Sequence, residues 1–168
     1  MPPAASYAPA PLNGCVVLVV DATTGVGRIV TARLCAAGAA VAVAGAGHPG
    51  RGDDAATNAA FLCKELTDIG LVALPYQADL ERIESFRALP AQIAADLGPV
   101  TASVVVIPSG PGSEALARAF RTMSSTVAAA LPPGARHIEV DTVSDRQGPE
   151  ERAHAIVRRL LDERLQHS

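Results

Sequence analysis

At 168 residues with a formal charge of −3 and a pI near 5.8, the chain fits one domain and has no basic run, which excludes a phosphate-neutralising nucleic-acid surface. Hydrophobic residues make up 49%, weighted to Ala and Val, with 3% aromatics and no Trp, so the core must be close-packed from small aliphatic side chains. No apolar stretch reaches the ~18–20 residues of a membrane span. Neither the three spaced cysteines (Cys15, Cys35, Cys63) nor the four scattered histidines form a metal-ligand pattern, and buried free thiols are expected.

Met1 to Pro11 is Pro/Ala-rich and lacks the basic start and apolar stretch of a signal peptide, so a disordered tail is expected, with a single cytoplasmic domain over 12–168. Cys15–Val20 is a continuous apolar run, the pattern of a strand buried on both faces. Gly25–Ala37 reads as a helix with Val26, Ile29, Val30 and Leu34 at helical spacing and Gly38 as its stop. Ala40–Ala44 is a short strand, followed by a glycine-rich loop over Gly45–Gly52. Asp53–Ile69 predicts a helix with Phe61, Leu62, Leu66 and Ile69 on one side, and Val72–Tyr76 a third strand. Leu80–Leu97 predicts one helix bent at Pro90, Ala102–Ile107 a fourth strand, and Ser113–Leu131 a helix stopped by Pro132-Pro133-Gly134. His137–Val143 is the fifth strand and Pro149–Leu165 the last helix. This alternation argues for an α/β fold: a doubly wound parallel sheet of about five or six strands in a Rossmann-like three-layer αβα arrangement.

Val19-Val20-Asp21-Ala22-Thr23-Thr24-Gly25-Val26-Gly27-Arg28 occupies the turn from the first strand into the first helix. Such turns hold dinucleotide pyrophosphates, because glycine lets the backbone come close and the helix start supplies N–H groups and a positive dipole. Gly25 and Gly27 alone fit tight strand–helix packing equally well. Over residues 14 to 145, however, the chain resembles the short-chain dehydrogenase/reductase family, whose turn reads T-G-x-x-x-G-x-G. Gly25 and Gly27 match its second and third glycines. Ala78-Asp79-Leu80 is similar to the family's adenine-contacting aspartate, and Gly98 through Gly110 to the segment ending N-N-A-G. The resemblance implies Thr24, Gly25, Val26, Gly27, Asp79 and Gly110 as the contacts of NAD or NADP, if a cofactor binds.

The departures carry as much information. Asp21 replaces the family's first turn glycine, and a carboxylate ~4 Å from a phosphate costs roughly 1–4 kcal/mol. Alternatively it turns inward to cap the helix. The ribose-reading position falls on Ala46, with His48 and Arg51 nearby, and both asparagines of N-N-A-G are missing from Ile107-Pro108-Ser109-Gly110. The family's proton donor is Tyr-x-x-x-Lys, yet the only tyrosines are Tyr7 and Tyr76 and the only lysine is Lys64, so no such pair exists. Asn13 and Asn58 both precede the catalytic asparagine's place, and Thr142 or Ser144 near the family's serine would have no partner. The chain is thus expected to be a degenerate, truncated relative with no catalytic residue, no metal and no required cofactor.

Three functions follow: a non-catalytic structural or regulatory subunit, a cofactor-independent cyclase, hydratase or isomerase, or an NAD(P)-binding module or atypical oxidoreductase. For the second, Asp21, Thr23, Thr24, Ser109 and Asp79 along the strand ends, with His137, Asp141, Asp145 and Arg146 near strand five, offer acid–base groups or merely solvated loops. For the first, Leu116, Phe120, Met123, Val127 and Ala130, and Ala153, Ile156, Val157, Leu160, Leu161 and Leu165, form stripes fit for core or for an interface. A homo-oligomer, or a hetero-oligomer with a catalytic short-chain dehydrogenase subunit, is the expected assembly.

Overall fold

Two segments are apolar and buried at every position, Val16–Val20 (β1) and Ala102–Ile107 (β4), and they sit side by side at the centre of the sheet. The computed structural model describes residues 10–21, 25–47, 55–141 and 148–165. Its remaining elements are α1 (Gly25–Ala36), β2 (Ala40–Gly47), α2 (Ala55–Asp68), β3 (Ala73–Asp79), α3 (Ile83–Arg87), α4 (Leu89–Leu97), α5 (Glu114–Ala130), β5 (Arg136–Asp141) and α6 (Pro149–Leu165). The strands pair in parallel in the order β3-β2-β1-β4-β5. The expected doubly wound α/β architecture is present, with five strands among the described residues.

Strand alternation divides the interior into two cores. Val17, Val19, Val41, Val43 and Val104 meet α1, α2 and α6 on one face, while Leu18, Val20, Ala44, Val105 and Ile107 meet α3, α4 and α5 on the other. Small side chains on the central strands let the helices pack close. Phe86 and Phe120 fill the second core and are fully buried. Leu12 is buried too, and its N–H donates to the Ala37 carbonyl at 2.8 Å. Cys35 and Cys63 are buried free thiols, pushed by burial up to about 12 and about 11, so both stay protonated.

The observed elements differ from the expected ones in instructive ways. β2 runs to Gly47 and β3 to Asp79, because Gly45, Ala46 and Gly47 pair with Gln77, Ala78 and Asp79. A ladder partner overrides the loop preference of glycine, which has no side chain to oppose strand pairing. The helix expected over 80–97 is two, parted at Ala88, with Pro90 in the first turn of α4, where a missing N–H removes no bond. On α2, Leu62 and Leu66 are buried but Phe61 faces outward, as does Ile69 in the turn after it, 63% and 73% exposed. The two helical stripes expected as core or interface are core: Phe120, Met123 and Val127 lie on the sheet, and Ala153, Ile156, Val157 and Leu160 lie in the first core, where α6 packs against α1. No helix among the described residues is long and apolar enough to cross a membrane.

Candidate functional site

In an open parallel sheet the ligand crevice lies beyond the strand C-termini where the strand order reverses, here between β1 and β4. Strand register makes that crevice a notch. Val20, the last residue of β1, pairs with Ala44 and Val105. β2 continues three residues further to Gly47 and β4 two further to Ile107, so at ~3.3 Å per residue the walls rise about 10 and 7 Å above the end of β1. Gly45, Ala46, Val106 and Ile107 belong to those extensions, and all four are buried and uncharged.

Asp21 forms the floor of the notch. It is 8% exposed, its N–H donates to the Ala44 carbonyl at 2.9 Å, and its φ is +64, the left-handed region that Asp tolerates better than most side chains. The chain therefore keeps a glycine-type conformation here with a carboxylate on it. Gly25 opens α1 at φ +54 with nothing within 4 Å of a notional Cβ, so conformation and not space requires glycine there. Gly27 is buried and its carbonyl accepts from Thr31 Oγ1 at 2.8 Å. Val26 points its side chain into the first core, leaving only its backbone for a ligand. Thr24, with Thr23, lies outside the described residues, as do His48, Arg51, Thr142, Ser144, Asp145 and Arg146.

The other expected contacts are spread along the edge. Gly110 adopts φ +127 after β4, and its carbonyl accepts from the Ser113 N–H at 3.1 Å. Beside it a cavity of about 270 Å³ is lined by Ser109, Ser113, Glu114, Arg118 and Arg121. Asp79 ends β3, where its Oδ1 accepts from the Glu81 N–H at 2.9 Å and so caps the following turn. At ~4.8 Å per strand, Asp79 lies about 10 Å from the β1 turn and about 19 Å from Asp141 on β5. The two carboxylates cannot act on one substrate atom. Asp141 instead faces Arg121 at 3.9 Å.

One expectation about position fails. Ala46 is not at a loop surface: it is fully buried within β2, opposite Ala78, so its side chain cannot meet a ribose. As its place at the head of the fifth strand implies, His137 does not join the strand ends. It pairs with Ser103 near the start of β5, four residues before Asp141, and its ring bonds Ser103 and Ser124 inside the fold. The contacts with Ser103 and Ser124 depend on β4–β5 register and on α5, which sequence pattern alone does not show.

The two side-chain types that the hydride-transfer mechanism needs are also apart. Tyr76 lies against the second core and its hydroxyl meets Asp96 Oδ2 at 2.7 Å. Burial, with the Asp96 carboxylate beside it, pushes this phenol above its usual range, opposite to what a proton-donating tyrosine at neutral pH requires. Lys64 is an exposed residue of α2, on the other side of the sheet, paired with Asp68 at 2.7 Å. Among the described residues no group of three His, Cys, Asp or Glu side chains could hold a metal.

No protein-family model matches the sequence, and no curated protein matches it. Solved structures do. A short-chain dehydrogenase/reductase from Serratia marcescens is 20% identical with a TM-score of 0.60, over 88% of this chain and 65% of that one. RhlG of Pseudomonas aeruginosa, solved with NADP, is 18% identical with a TM-score of 0.62, over 89% and 64%. A blue fluorescent protein from a metagenomic library, solved with NADPH, is 27% identical with a TM-score of 0.57, over 77% and 56%. The chain spans less than two thirds of the length of each. Strand order, the glycine-bearing β1–α1 turn and these similarities agree: the chain has the short-chain dehydrogenase/reductase fold that its sequence resembles.

Proposed function

We propose that this chain is a short-chain dehydrogenase/reductase-fold protein that does not itself transfer hydride, and that serves as a structural or regulatory subunit beside a catalytic partner or a second copy. The observation behind this is the fate of the needed residue types. Tyr76 is engaged with Asp96 on one side of the sheet and Lys64 with Asp68 on the other, and the remaining tyrosine, Tyr7, is followed four residues later by Pro11. A subunit role also draws support from apolar side chains left outside both cores: Phe61, Ile69, Val72 and Leu74, on α2 and around the start of β3, are 37–73% exposed. The purified chain should oxidise no NADH or NADPH with carbonyl substrates, and sedimentation should find it associated, with itself or with a dehydrogenase from its source cells. A monomer at every concentration, together with unchanged cellular dehydrogenase activity on its deletion, would count against the subunit role.

A second reading, dinucleotide binding without turnover, is favoured by the notch over β1 and by the NADP and NADPH in two similar structures. If a dinucleotide binds, the backbone at Gly25, Val26 and Gly27 would meet the pyrophosphate, with Asp79 and Gly110 at the two sides. The Asp21 carboxylate opposes that phosphate, and the described end of β2 offers no acidic or basic group to the ribose. Weak binding is the expectation.

A further inference from the structure

Each β5 residue that faces α5 is titratable. Arg136, Ile138 and Val140 alternate with His137, Glu139 and Asp141; Ile138 belongs to the first core and Arg136 pairs with Glu163 of α6, so the second set faces α5. β5 is bonded to β4 alone among the described strands, so on this face its hold on the molecule is entirely polar. Asp141 meets Arg121 of α5 at 3.9 Å. His137 and Glu139 meet Ser103 of β4 and Ser124 of α5, both fully buried.

Hydrogen-bond bookkeeping fixes the direction of this cluster. Ser124 has one hydroxyl proton and donates it to Glu139 Oε1 at 2.6 Å. Across the 2.7 Å contact with His137 Nε2 it can therefore only accept, so Nε2 carries the proton. In a neutral ring Nδ1 is then bare, and it accepts from Ser103 Oγ at 2.5 Å. The chain runs one way: Ser103 to His137 to Ser124 to the Glu139 carboxylate. A second proton, on Nδ1, would confront the Ser103 hydroxyl and force it to surrender its buried acceptor. Burial holds the His137 ring below its ordinary value, and the Glu139 carboxylate 3.9 Å away opposes this only in part. Neither the 270 Å³ cavity beside Gly110 nor one of about 290 Å³ beside Leu12 is lined by Ser103, Ser124 or His137, and both serines are fully buried.

The geometry points to His137 as an acid-sensitive latch: neutral, it ties the edge strand β5 to α5 through Ser103 and Ser124, and protonated, it breaks that chain and loosens β5. Among the described residues Glu139 lies 3.9 Å from Nε2, Asp141 pairs with Arg121 further along the strand, and the Nδ1 side of the ring meets Ser103.

Amide exchange of the whole chain, corrected for intrinsic rates, tests this alongside NMR titration of the His137 ring. On acidification β5 amides should lose at least tenfold in protection with the midpoint of the ring titration, while β1 amides keep theirs. In His137→Gln the β5 protection should not change across that pH range. In Glu139→Gln the ring midpoint should move to lower pH, because a neighbouring negative charge is lost. PH-independent β5 protection in the wild type, or an unchanged loss in His137→Gln, overturns the latch. Should His137→Gln fail to fold, a mismatch between the two wild-type midpoints overturns it equally.

Discussion

A non-glycine residue in the left-handed region costs roughly 1–2 kcal/mol, and Asp21 accepts that cost at the point where the notch is deepest. Gly38 shows the same constraint without ambiguity: at φ +101 a Cβ would stand 2.5 Å from Ala10 Cβ. Gly38→Ala should lose about 2 kcal/mol or more in denaturant unfolding, combining backbone strain with a clash. For His137 the sign of pH dependence follows from its depressed value. Below the ordinary 6.5 the unfolded ring takes up a proton while the folded one does not, so this contribution is complete above 6.5 and is lost as pH falls toward the folded value. Unfolding of His137→Gln should lack that part of the slope. Residue identity made the replacement at Asp21 legible, since one carboxylate in a glycine turn is visible in a string of letters. The tautomer of His137 was not, because it depends on Ser103 and Ser124, which are 34 and 13 residues away in sequence.

On α5 and α6, apolar stripes whose spacing fits core or interface alike are buried at Phe120, Met123 and Val127 and at Ala153, Ile156, Val157 and Leu160. Phe120 is fully buried against the sheet, and Phe120→Ala should destabilise by about 3–5 kcal/mol through lost burial and a cavity. Ala153 is fully buried in the first core, where α6 packs on α1, so Ala153→Leu should cost about 1–3 kcal/mol by overpacking. By contrast Phe61→Ser should stay within about 0.5 kcal/mol, because that ring is already 63% exposed. Spacing alone placed Phe61 and Ile69 with Leu62 and Leu66, but a helix lying on a sheet buries a narrower arc than the apolar residues span. β2 and β3 extend beyond their apolar runs for a related reason. Gly45 and Gly47 look like loop until a neighbouring strand is there to pair with them. β1 and β4, buried on both faces, needed no such context.

At the level of the whole molecule, five parallel strands between two helical layers place the described candidate ligand contacts on one edge of the sheet, as alternation of apolar runs and glycine stops implies. What the alternation could not supply was distance across the sheet, which separates Asp79 from Asp141, or the depth at which His137 sits. The fold carries Asp21, left-handed and 8% exposed, directly after β1 in place of a turn glycine, and the sequence holds no Tyr-x-x-x-Lys pair. Since hydride transfer requires a bound nicotinamide, calorimetric titration of NADPH into the wild-type chain and into Asp21→Gly is the most direct measurement. The wild type should bind weakly, and Asp21→Gly at least about tenfold more tightly, as expected when a like charge ~4 Å from a phosphate is removed. Tight, saturable binding to the wild type that Asp21→Gly leaves unchanged or weakens would contradict it.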